Sequence, residues 1–179
     1  MQKATFAYNH QTAVSSPCII QWTLFATKKD TSMPMETEGW IEFSNYTSQE
    51  ERDEEHSWLC WMSISSMMLQ IDEVTEKLFG YSKRIIRGDY QISSIAKDRG
   101  IPLNPSDLVR REIESIQKYI ESGEVFGLTT IYYDEIKKND SILNSHQSEW
   151  LAVIELIEKL KNVKKLDDKQ IRLIVWFEI

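Results

Sequence analysis

Residues 171–178 read IRLIVWFE, and the placement of this stretch decides the fold. Alternation of apolar and polar residues marks a strand with one wet face, whereas a nearly continuous apolar run marks a strand covered on both faces. IRLIVWFE is of the second kind and is expected at the centre of a sheet. Three other stretches supply its neighbours. Residues 124–133, EVFGLTTIYY, and 19–27, IIQWTLFAT, are rich in β-branched and aromatic types. In 39–44, GWIEFS, Trp40, Glu42 and Ser44 alternate with Ile41 and Phe43. The polar connection TKKDTSMPMETE, with Pro34, separates two strands of one meander.

Helices are expected between the strands. In NPSDLVRREIESIQKYIESG, Val109, Ile113, Ile116 and Ile120 recur at helical spacing; Asn104 can cap, Pro105 suits the first helical position and Gly123 can end the helix. In SEWLAVIELIEKLKN, Trp150, Ile154, Ile157 and Leu160 share a face, with Ser145 or Ser148 as cap. A shorter helix is expected over YQISSIAKDRG, with Ile92, Ile95 and Ala96 inward and Gly100 as terminator. The pattern predicts an α+β fold: a mixed or antiparallel sheet of about four to six strands, with three to four helices mainly on one face. At 179 residues, and with no repeat or linker, the chain reads as one domain over 1–179, with 46–57 as the place for any internal division.

Charge is unevenly spread. Between Glu36 and Glu55 eight acidic residues meet one basic residue, Arg52, and the remaining chain is balanced, with 20 of each sign. The whole net charge of −7 therefore lies in this segment. A nucleic-acid binder concentrates the opposite sign, so direct binding to a phosphate backbone is disfavoured. The N-terminus lacks a charged-then-apolar leader pattern, and no apolar run approaches the ~20 residues that span a bilayer, so a cytoplasmic location away from membranes is expected. Cys18 and Cys60 stand far apart among apolar neighbours, as reduced thiols do. Neither paired cysteines nor histidines at ligand spacing suggest a metal, and no glycine-rich phosphate loop suggests a cofactor.

The acidic segment runs into EERDEEHSWLCWMSISSMM, residues 50–68. Cys60, Ile64, Met67, Ile71, Val74 and Leu78 follow a helical rhythm, yet Trp58, Cys60, Met62 and Ile64 also alternate as in a strand. Periodicity leaves residues 58–65 open between the two, and favours helix from Ser66 to Phe79. If helix opens at Cys60, the unpaired amides of its first turn would favour thiolate, and His56 would lie one turn away.

On that helical arm, SWLCWMSISSMML resembles the nucleophile segment of papain-like cysteine peptidases, in which a cysteine followed by tryptophan opens a core helix. The resemblance covers about a dozen residues. It implies Cys60 as nucleophile, with His146 the downstream histidine. Glu54, however, stands where that family carries its oxyanion glutamine, and a carboxylate there would repel an oxyanion. Neither 124–133 nor 171–178 contains a histidine.

The alternative is a docking surface. Glu50, Glu51, Asp53, Glu54 and Glu55 form a charged rim, and Trp58 and Trp61, on opposite sides of either periodic pattern, offer one exposed aromatic anchor. The favoured expectation is an acidic binding protein, leaning away from enzyme chemistry, that neutralises or regulates a basic protein partner such as a toxin or a nuclease-like enzyme. In size, charge and lack of chemistry it looks like bacterial toxin-immunity proteins, a likeness carried by no motif. A phage-encoded inhibitor of a bacterial defence enzyme, mimicking nucleic-acid charge, is the second binding expectation.

Overall fold

The computed structural model describes residues 35–81, 93–139, 142 and 148–179. The stretch 19–27, expected as a strand, lies outside the described residues, as do Cys18, Ser145 and His146. Among the described residues, four strands form one antiparallel sheet: β1 (Glu36–Ser44), β2 (Trp58–Ser63), β3 (Val125–Tyr132) and β4 (Ile171–Glu178), in the order β2-β1-β4-β3. The last strand in sequence is thus interior. Seven of its eight residues are buried, because both of its faces are covered. β1 lies so close to β4 at Gly39 that a Cβ there would sit 2.2 Å from the Ile174 carbonyl oxygen. With φ at +149°, only glycine is accommodated.

Five α-helices accompany the sheet among the described residues: α1 (Gln49–Arg52), α2 (Glu73–Phe79), α3 (Asp107–Ser122), α4 (Tyr133–Lys137) and α5 (Trp150–Lys164). The strand alternation decides how they pack. Ile171, Leu173, Val175 and Phe177 share a cluster with Val74 and Leu78 of α2, Ile136 of α4 and Trp150, Val153 and Ile157 of α5. Ile174 and Trp176 pack instead against Val109 and Ile116 of α3. Three helices therefore cover one face, and the longest covers the other. Trp150 fixes the larger cluster laterally, meeting the Phe79 ring at 5.3 Å and donating through Nε1 to Thr75 Oγ1 at 3.0 Å. No helix among the described residues is long and apolar enough to cross a membrane.

Several local expectations are corrected by tertiary contacts. Residues 58–63, open between strand and helix, are strand β2, paired with β1. The helix expected over 66–79 is broken into a short 3-10 turn, Ser65–Met67, and α2. Met68 interrupts it in the left-handed conformation, and the Asp72 side chain takes the amides of Val74 and Thr75 as a new cap. Of the helix expected over 90–100, the described part, 93–100, is not helical. The amides of Ile95 and Ala96 donate to the carbonyls of Lys77 and Leu78 at the end of α2, at 3.0 and 2.8 Å, so they are spent outside any helix of their own. For α3 the cap position is Ser106 rather than Asn104, and Gly123 ends the helix as expected, at φ +81°. Ser148 accepts from the Trp150 amide at 3.2 Å at the start of α5.

Candidate functional site

The alternation of β1 and β4 places Glu42 and Arg172 opposite each other on the α3 face. Both are fully buried, with side-chain exposures of 0% and 1%. Such a pair is tolerable only when its polar atoms find partners, and here each nitrogen of the guanidinium and each oxygen of the carboxylate has one. Arg172 donates to Glu42 Oε2 from Nε at 2.8 Å and lies within 2.8 Å of it through Nη2. Glu42 Oε1 accepts the Ser106 amide at 2.7 Å, where the N-terminus of α3 also favours negative charge. Arg172 reaches Asn104 twice, Nη1 to Oδ1 at 3.3 Å and Nη2 to the carbonyl at 2.8 Å. Its guanidinium carbon stands 3.8 Å from the centre of the Trp58 ring, a desolvated cation–π contact.

This centre holds the acidic segment in place. The carbonyl of Arg52 accepts three donors: Ser57 Oγ at 2.6 Å, Trp58 Nε1 at 2.8 Å and Asn104 Nδ2 at 2.5 Å. Asn104, expected as a helix cap, is thus consumed in stitching two loops together. Ser48 caps α1 by accepting from the Glu51 amide at 3.2 Å, and Glu51 accepts from Ser48 Oγ at 2.8 Å. His56, at φ +64°, turns the chain into β2. Glu50, Glu51, Asp53, Glu54 and Glu55 are all exposed around this fixed turn. Arg110 pairs with Glu55 at 3.2 Å, and among the described residues no basic side chain forms an ion pair with the other four.

Trp58 is not an exposed anchor. It is 2% exposed, sealed between Arg172 and the edge of the Tyr132 ring, because its position in β2 points toward the α3 face. Trp61 emerges on the other face, half-buried, with its ring 5.3 Å from Phe43. Leu59, 45% exposed, lies between them along the edge strand.

The helix start that would have activated Cys60 does not exist. Cys60 lies within β2 opposite Glu42, and burial together with that carboxylate pushes its thiol up to about 11. His56, which a helix would have brought one turn away, instead sets Nδ1 3.2 Å from Asp107 Oδ1. At pH 7 a thiol of pKa 11 is ionised about one part in ten thousand, against about one part in thirty for an ordinary cysteine of pKa ~8.5. Alkylation of Cys60 by iodoacetamide at pH 7 should therefore run on the order of a hundredfold slower than that of a free cysteine, accelerating toward pH 11. Completion within the time free cysteine needs would contradict this environment.

Among the described residues, no group of three or more His, Cys, Asp or Glu side chains could hold a metal ion. Comparison with protein-family models, curated proteins and solved structures found no match for this chain. The residues that build the site and escaped sequence reasoning are Glu42, Arg52, Asn104 and Arg172. One signal was available: Arg172 is the charged interruption in an otherwise apolar central strand.

Proposed function

We propose that this chain is a cytoplasmic acidic binding protein that docks a basic protein partner through the α1 turn, in the manner of a bacterial toxin-immunity protein. The observation that carries this function is the anchoring of the acidic turn. Five exposed carboxylates are displayed on backbone tied down through the Arg52 carbonyl, so little conformational freedom remains to be lost on association. Carboxylates arranged this way raise the encounter rate with a basic surface and disfavour acidic competitors. Trp61 and Leu59, at the sheet edge, supply apolar surface near this rim.

The test is kinetic. Replacing Glu50, Glu51, Glu54 and Glu55 by Gln and Asp53 by Ser should barely change the melting temperature. Association with the partner, identified by capture and then purified, should slow about tenfold or more, and the wild-type rate should fall steeply as salt rises through ~0.15 M. Trp61→Ala should mainly speed dissociation. An unchanged association rate and salt response in the neutralised chain would refute the docking role.

A further inference from the structure

The side chain of Arg52 points to a second, chemically opposite site. Arg52 is only 5% exposed, and among the described residues no carboxylate pairs with it. Its Nη2 donates to Gln49 Oε1 at 2.9 Å, and its buried Nε meets no acceptor. Buried charges are normally paired, because an uncompensated one forfeits its hydration. Arg172, buried more deeply still, obeys that rule through its pair with Glu42. Arg52 does not, and it lines a cavity of about 440 Å³ together with Gln49, Arg99, Tyr132, Asp134, Glu135 and Lys169.

The charges around this cavity do not cancel. Arg99 and Glu135 neutralise each other, with Arg99 Nη1 donating to both carboxylate oxygens at 2.8 and 2.9 Å, and Asp134 is held by Lys138 at 2.8 Å. Arg52 and the exposed Lys169 remain, two positive charges in a protein whose net charge is −7. We propose that this cavity binds the oxyanion of a small molecule, a phosphate or a carboxylate, with Arg52 as principal donor and Lys169 as its exposed second contact. A guanidinium donates to either group, and the volume falls in the range of small-molecule sites. The cavity shares α1 with the docking surface, through Arg52 and through Gln49, whose Nε2 donates to Asp53 Oδ1 at 2.7 Å, whereas Lys169 lines the cavity and lies outside that turn, so Lys169→Glu separates the two readings.

Amide-resolved NMR titration of the full chain tests the proposal, with inorganic phosphate and glycerol phosphate as one arm and acetate and succinate as the other. Saturable shifts confined to Gln49, Arg52, Tyr132 and Lys169 are expected in at least one arm, and the arm that saturates identifies the oxyanion. Lys169→Glu, on the surface, should leave the unliganded melting temperature unchanged and weaken binding at least fivefold. Arg52→Lys, which keeps the charge and loses the fork, should weaken it at least tenfold. Neutralising Glu50, Glu51, Glu54 and Glu55 alone, which leaves Asp53 to hold Gln49, should not weaken anion binding. Shifts that fail to saturate in both arms, or an affinity unaffected by Lys169→Glu, would overturn the site.

Discussion

Val175→Asp should abolish folding at neutral pH. Val175 is fully buried in β4, opposite Gly39 of β1 and Thr129 of β3, and belongs to the larger core cluster. Its neighbours in that cluster are apolar or aromatic, and they offer a new carboxylate neither a hydrogen-bond donor of opposite charge nor solvent. An unpaired buried charge costs several kcal/mol even after relaxation, which is comparable with the ~5–15 kcal/mol that holds a whole domain together. Val175→Thr, which keeps the shape and adds a single hydroxyl, should remain folded with a loss of about 1–3 kcal/mol. Circular dichroism and a denaturant melt separate the two. A Val175→Asp chain that melts cooperatively at neutral pH would show that β4 is not enclosed on both faces.

Removal of Arg172 should have the next largest effect. Arg172→Met leaves Glu42 charged, buried and stripped of its cation, and loses both contacts to Asn104. A loss of about 3–5 kcal/mol is expected for breaking a buried pair in this way. The double variant Glu42→Leu/Arg172→Met removes both charges and should recover part of that loss. Recovery should be incomplete, because the Ser106 amide and the Asn104 groups would still lack partners, each worth about 1–3 kcal/mol. Denaturant unfolding of the single and double variants gives the coupling directly. If Arg172→Met costs no more than a surface substitution, the pair does not organise this face. Amide exchange at residues 49–57 adds a second readout: it should quicken in Arg172→Met, since Asn104 then loses the partner that positions it against the Arg52 carbonyl.

What could be read directly from the chain was whatever depends on neighbours in sequence. The apolar run 171–178 coincides with β4 from its first residue to its last, and its continuity predicted its interior position. The i, i+4 rhythm of Val109, Ile113, Ile116 and Ile120 located α3, and that of Trp150, Ile154 and Ile157 located α5. Both patterns reflect a repeat within one element burying one face, which sequence records faithfully. The exposure of residues 50, 51 and 53–55 also follows from local composition, since so many adjacent carboxylates cannot all be buried.

Tertiary structure alone decided the rest, because the deciding partners are remote along the chain. At Cys60 and Ile64 the strand and helix periods coincide, so residues 58–63 became strand only through the hydrogen bonds offered by β1. The same pairing buried Trp58 and turned a candidate anchor into the lid over Arg172. Asn104 had the composition of a cap and the fate of a bridge, drawn away by the Arg52 carbonyl 52 residues earlier. Glu42 and Arg172, 130 residues apart, meet because antiparallel register sets them opposite each other on one face. A register shift of one residue would send either side chain to the other face, and no local pattern encodes that register.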